Sequence, residues 1–204
     1  GTFTVAGTDK SMDLMDAAKR AQNFITAPPG FEVGLDEWAA WRPPAPTFPN
    51  GCHVAEVEID RDTGFTEIVR YCMVDDVGTI INPLLLEGQV QGGAVQGIGQ
   101  IMCENMVWDR DSGQMVSGSF MDYTMPRADD CPSFEMGENE VPTPTNPMGI
   151  KGAGEAGCVG AMPAVMNAIC DALSTVGIRS FDMPASPSRV WQAIQSAQTS
   201  MAAE

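Results

Sequence analysis

Basic residues are scarce in this chain: 11 Lys and Arg stand against 27 Asp and Glu, leaving a net charge of -16 over 204 residues. That balance argues against nucleic acid and against anionic membrane surfaces as partners. No run of 18 apolar residues and no signal-peptide pattern occurs, so membrane insertion is not expected. There is one histidine, and the six cysteines (52, 72, 103, 131, 158, 170) form no CxxC pair, which leaves no zinc or iron–sulfur spacing. They read as small apolar residues of a reduced, cytoplasmic protein, with Cys158 also a candidate to line a site.

What the chain has in abundance is glycine, 21 residues. Four of them fall within nine positions, Gly149, Gly152, Gly154 and Gly157, with Glu155 as the acid in their midst. Glycine serves where backbone must take a positive φ or lie directly against another group, so such a loop wraps something. A carboxylate held on it, ahead of an apolar helix expected from Pro163 to Val176, is placed like a general base. An exposed acid in an ordinary turn fits the spacing as well. Near the expected helix start, free backbone N–H groups around Cys158 to Ala161 would suit an anion.

A second glycine-rich stretch is expected as a helix from Pro83 to about Met106, with Asn82 as its cap. Gly88, Gly92, Gly93, Gly97 and Gly99 each cost up to about 1 kcal/mol relative to alanine in a helix, and something must offset that. At 3.6 residues per turn, Gln89, Gln96 and Gln100 fall within about 20° of one line, a row of amides with little bulk around it. Such a face suits a polar ligand rich in donors and acceptors. Close backbone packing against another helix is the other reading, and both can hold on different faces.

The rest supplies a scaffold. Thr2–Val5 is expected as a strand, Ser11 as the cap of a helix running to about Ile25, and His53–Ile59 with Phe65–Val74 as a hairpin closed by Asp60–Gly64. Further strands are expected at Met115–Tyr123 and Ser133–Glu138, and a last helix from Pro187 with Val190, Trp191 and Ile194 inward. Asp75 and Asp76, adjacent in a strand, point to opposite faces and fit a turn or cap better than a metal pair. Phe31, Trp38, Trp41 and Phe48 sit among prolines, which suits an extended strip packed on the chain's own core or serving as a contact strip. The fold class is α+β: a sheet of hairpin strands with three to four helices mostly on one face, divided into a wrapping segment, 1–50, and a main domain, 51–204.

Two strings carry a resemblance. Lys151-Gly-Ala-Gly-Glu155-Ala-Gly resembles the active-site loop of the xanthine oxidase family of molybdenum hydroxylases, near its aerobic carbon monoxide dehydrogenase branch. Gly88 to Gln100 resembles that family's cofactor-binding helix, about sixty residues upstream and in the family's order. The likeness runs from about Phe48 to Ile194 and is less plain before that. The resemblance implies the C-terminal half of a molybdopterin-binding module. Glu155 would be the base, with Gln89, Gly92, Gly93, Gln96, Gly97, Gln100, Lys151, Gly152, Gly154 and Cys158 around the cofactor and no protein ligand to the metal. Arg127 would border the cofactor, facing either a phosphate of it or an ion pair with Asp129 or Asp130.

By the same resemblance, the cofactor is molybdenum with molybdopterin in its cytosine dinucleotide form. Iron–sulfur and flavin centres, for which this chain has no motif, would sit in partner subunits or domains of a dimer of heteromers. Because the chain opens at Gly1 in mid-strand, it reads as a C-terminal portion of a longer subunit. Carbon monoxide, an N-heterocycle or an aldehyde all remain as substrates. A cofactor-free assembly module, or an enzyme using Glu155 without metal, are the competing readings.

Overall fold

A computed structural model describes the backbone of residues 1–202 and the side chains of residues 1–199. The chain divides into two compact units, Gly1–Arg42 and a second from Pro43 onward. In the first, β1 (Thr2–Thr4) pairs antiparallel with β2 (Ser11–Asp13), and α1 (Leu14–Ala21) follows at once. Asp13, not Ser11, caps this helix by accepting the Met15 N–H at 2.9 Å, because Ser11 is engaged in the strand pair. The helix stops at Ala21, four residues short of the expected Ile25, and no residue of the unit is buried. Phe31, Trp38 and Trp41, and Phe48 in the second unit, are all exposed, contrary to the packed strip expected from their composition.

The second unit is built on a three-stranded sheet in the order β3 (Asn50–Ile59), β4 (Thr66–Asp76), β5 (Phe134–Glu138). The β3–β4 hairpin is as expected. β5 instead runs parallel to β4, so the sheet is mixed rather than made of hairpins alone. No strand forms at Met115–Tyr123; Met115 makes only an isolated bridge to Trp108. A bulge matters more than any of these. Opposite Glu56 and Val57, β4 carries one extra residue, so Glu56 pairs with Arg70 and Val57 with Ile68. An extra residue flips the parity of a strand. Thr66 and Ile68 face inward before it, and Tyr71, Met73 and Asp75 after it. The bulge therefore turns an acid, Asp75, to the inner face that His53, Ala55 and Val57 share across the hairpin.

Three helices complete the unit: α2 (Pro83–Met102), α3 (Ala156–Ser174) and α4 (Pro187–Ala202). Asn82 caps α2 through the Leu85 N–H, with Pro83 in its first turn, as read from the sequence. α3 starts seven residues before Pro163, which lies inside the helix, so Glu155 itself is the N-cap residue. Cys158 to Ala161 are accordingly helical rather than a loop ahead of the helix. α3 is long and apolar enough to cross a membrane by length and composition, but Val165, Ile169 and Leu173 are buried in the core with Ile98, Ile101, Tyr71 and Met73. On α4, Val190 and Ile194 are buried while Trp191 stays exposed. Ile169→Ala is expected to cost about 2–5 kcal/mol, read as a lowered urea midpoint, since the close-packed wall around it cannot collapse fully.

α2 and α3 touch backbone to backbone, and this accounts for much of the glycine in both. A Cβ on Gly157 would lie 2.1 Å from the Val90 carbonyl oxygen, and one on Gly97 would lie 2.9 Å from the Ala161 Cβ and the Cys158 carbonyl oxygen. Gly93 similarly faces the Gly157–Cys158 backbone. Gly88 and Gly92 have open space where a Cβ would stand, so the packing does not explain them.

Candidate functional site

The loop that presents Glu155 is fixed to the end of β4 by a compact set of contacts. Gly78, at φ +68°, brings its backbone so near Gly149 that a Cβ there would meet the Gly149 oxygen at 2.1 Å. Lys151 N–H donates to Val77 O at 2.9 Å, and Asn146 bonds both the N–H and the carbonyl of Ile150. Lys151 Nζ donates to Asp76 Oδ2 at 2.6 Å, with both side chains largely buried. Asp76 also accepts the N–H groups of Gly78 and Val141. Lys151, read from the sequence as a cofactor residue, thus has its charge directed at Asp76. The adjacent acids do diverge, Asp76 as the acceptor of a turn and Asp75 toward the core.

The Lys151 ammonium, aided by the Gly78 N–H, holds the Asp76 carboxyl at about 2, below its ordinary 3.8. A depressed carboxyl contributes stability that is complete above the unfolded value and is lost as pH falls through the folded one. Acidification from pH 4 to 2 is therefore expected to lower the protection of the Gly149, Ile150 and Lys151 amides relative to their intrinsic exchange at each pH. Lys151→Ala should bring the same loosening to neutral pH, and hydrogen exchange measures both.

Glu155 is exposed, and its carboxylate does not cap α3. It lines a cavity of about 790 Å³ together with Gly152, Gly154, Gly160, His53 and Asp75. Gln89 on α2 donates from Nε2 to the Gly154 carbonyl at 3.0 Å, so one amide of the row reaches the Glu155 loop. Gln96 and Gln100 are exposed on the same face of the helix but do not line the cavity. Cys158 is half-buried and also lies outside it. Gly93 and Gly97 point their bare sides at α3 rather than along the amide row. A second hollow of about 490 Å³ lies beside Gln91, Val95 and Arg127. Asp130 accepts the Arg127 backbone N–H there, with no guanidinium ion pair among the described residues.

Sequence reasoning passed over His53. Its ring is almost wholly enclosed, with Nδ1 2.8 Å from Tyr71 Oη and Nε2 3.3 Å from both Asp75 oxygens. Burial, with Asp75 nearby, pushes the Tyr71 phenol upward, so it keeps its O–H. The available signal was the inward parity of residue 53 on the strand, but the β-bulge that sends Asp75 to it was not legible.

The structure thus brings together a glycine-rich helix and, tied to it by an amide, a glycine loop with a lone carboxylate, on an α+β scaffold. A family model described as a molybdopterin cofactor-binding domain matches residues 1–132. The nicotine 6-hydroxylase large subunit of Paenarthrobacter nicotinovorans is 43% identical over 81% of this chain and 20% of its own length. The carbon monoxide dehydrogenase large chain of Hydrogenophaga pseudoflava is 37% identical over 95% of the chain and 24% of its own. The solved structure of reconstituted CO dehydrogenase from Oligotropha carboxidovorans superimposes with a TM-score of 0.89 at 32% identity, over 98% of this chain and 24% of that one. The chain belongs to the molybdopterin-binding xanthine oxidase family, near its carbon monoxide dehydrogenase branch. It spans about a quarter or less of the length of these relatives, and the likeness extends over the first forty residues as well as the region from Phe48.

The residues present fit the cofactor. Gly92 on α2 and Gly152 and Gly154 in the loop each have open space where a Cβ would stand, and the exposed amide of Gln89 reaches the loop at Gly154, with Gln96 and Gln100 exposed further along the same helix. That combination leaves room and hydrogen-bonding groups together, as a pterin edge requires.

Proposed function

We propose that this chain is the C-terminal part of the molybdenum-bearing large subunit of a hydroxylase that oxidises a small substrate with oxygen from water. The observation that carries the reading is the Gln89 to Gly154 hydrogen bond, which joins the amide row of α2 to the loop bearing Glu155. Gln89, Gln96 and Gln100 would hold the pterin, and Gly92, Gly152 and Gly154 would let it approach the backbone. When bound, the molybdenum centre supplies two-electron redox chemistry and Lewis acidity. Glu155 accepts a proton on its carboxylate and gives it up again between turnovers. Gly93, Gly97 and Gly157 bring α3 against α2, and Lys151 fixes the loop through Asp76, so both act on the position of Glu155.

The finer assignments follow the same reading: a cytosine dinucleotide form of the cofactor, iron–sulfur and flavin partners that take the electrons, a dimer of such heteromers, and a cytoplasmic location. Carbon monoxide, an N-heterocycle and an aldehyde are the substrate classes to assay, each in keeping with names among the relatives. The isolated 204 residues are expected to be inactive, because a cofactor of this size needs walls from several segments. Elemental analysis of the purified complex tests the reading against its rival. A complex without molybdenum would favour an assembly module, for which exposed Phe31, Trp38 and Trp41 would be the contact strip. Molybdenum present, with turnover abolished in Glu155→Gln, supports the hydroxylase.

A further inference from the structure

Among the described residues, sixteen line the cavity that includes Glu155, and the only ionisable ones are Glu155, Asp75 and His53. Two of these three are buried and joined to each other, an arrangement that costs desolvation unless every polar atom is partnered. Here both ring nitrogens and both carboxylate oxygens have a partner. Tyr71 Oη lies 2.8 Å from His53 Nδ1, and the other ring nitrogen, Nε2, lies 3.3 Å from both Asp75 oxygens, so a proton carried on Nε2 is directed at Asp75. Asp75, held at the imidazole in this way, also lines the cavity.

α3 holds this pair beneath Glu155. Gly160, little more than one helical turn after Glu155, rests on the imidazole so closely that a Cβ there would lie 2.5 Å from His53 Cε1 and Nδ1. Gly51 lies over Asp75 in the same manner, with its missing Cβ 2.1 Å from Asp75 Oδ1. Two glycines thus make room for an ionisable pair in a place where apolar side chains would pack with less difficulty. The neighbouring charges are accounted for: Lys151 is taken by Asp76, and Tyr71 stands behind His53.

We propose that Asp75, held by His53 and Tyr71, is the station through which the proton taken up by Glu155 leaves the site. The proposal rests on the reading of Glu155 as the base. The proton departs from the Glu155 carboxyl and crosses on cavity water, each water accepting one proton and releasing one. It arrives on the Asp75 carboxylate and passes from there to solvent at the Thr47–Asn50 rim. No electrons move, and Glu155 is returned to its carboxylate form. Asp75 and His53 act through Glu155 and do not touch the reacting atoms.

The test uses the complete complex carrying Asp75→Asn, His53→Gln or Ala164→Leu, the last filling the cavity from α3 without altering a polar group. Each is expected to retain molybdenum and to keep KM within about two-fold while kcat falls about ten-fold or more, with a solvent deuterium isotope effect on kcat rising above about 2. A readout independent of turnover is the His53 ring N–H in histidine-labelled protein, its resonance identified by His53→Gln. In D2O it should exchange within seconds, since the cavity brings water to the pair, and protection for hours would overturn the relay. Wild-type kcat and isotope effect in all three variants, with Glu155→Gln inactive, would overturn the relay alone. Turnover surviving in Glu155→Gln would instead remove the reading beneath it.

Discussion

Glu155→Gln in the complete complex is expected to lower kcat by about 10³-fold or more while molybdenum content and pterin loading stay at the wild-type level. Glutamine keeps the length and shape of the side chain but cannot accept a proton. The substitution should not disturb the fold. The carboxylate is exposed and does not cap α3, and the loop around it is held by other groups: Lys151 on Asp76, Asn146 on Ile150, and the Gly78 turn. A base of this kind affects the chemical step, so KM should change far less than kcat. Elemental analysis beside steady-state kinetics decides it. Loss of molybdenum in the variant would make Glu155 a residue of cofactor retention, and retained turnover would exclude it as the base.

Much of the scaffold was legible in the sequence because local chemistry dictated it. Asn82-Pro83 announces a capped helix, and Asp60 to Gly64 closes a hairpin whose strands alternate visibly on either side. What stayed hidden depended on partners distant in sequence. Ser11 looked like a cap because it precedes an apolar helix, yet pairing with Thr4 drew it into a strand and passed the role to Asp13. Pro163 looked like a helix start, since proline favours the first turn. In fact α3 begins seven residues earlier, because close contact with α2 rewards helix at Ala156 and Gly157 before proline is reached. Parallel pairing of β5 leaves no local trace at all.

The site divides along the same line. Glu155 and Gln89 could be singled out by glycine spacing and helical periodicity together with the family resemblance, all one-dimensional signals, and a hydrogen bond of 3.0 Å from Gln89 joins them through Gly154. His53 and Asp75 could not, because their meeting depends on one extra residue opposite Glu56 and Val57 that reverses which side of β4 faces in. Periodicity also could not say which glycines of α2 meet a ligand and which meet α3. Only the position of the second helix separates Gly92, with open space, from Gly93 and Gly97, in contact.

That separation makes Gly157→Ala the substitution with the largest expected effect on folding. The new methyl carbon would stand 2.1 Å from the Val90 carbonyl oxygen and 2.7 Å from the Ala94 nitrogen. Both obstacles are backbone of α2, so no rotamer change relieves them and the helices must separate by about an ångström or more. The cost falls on the whole α2–α3 seam, where Ala94, Ile98, Ala161 and Val165 are fully buried and packing loses energy steeply with small gaps. Overpacking against rigid backbone is expected to destabilise by about 3 kcal/mol or more, well beyond the helix propensity that alanine contributes in its favour. Gly92→Ala, on the facing helix α2 and with open space at its missing Cβ, is the control, and should be neutral or slightly stabilising in denaturant melts. Because Gly154 and Glu155 lead directly into the helix that would be displaced, Gly157→Ala should also weaken the Gln89 to Gly154 bond, and equal stability in the two variants would show that the helices are not in backbone contact.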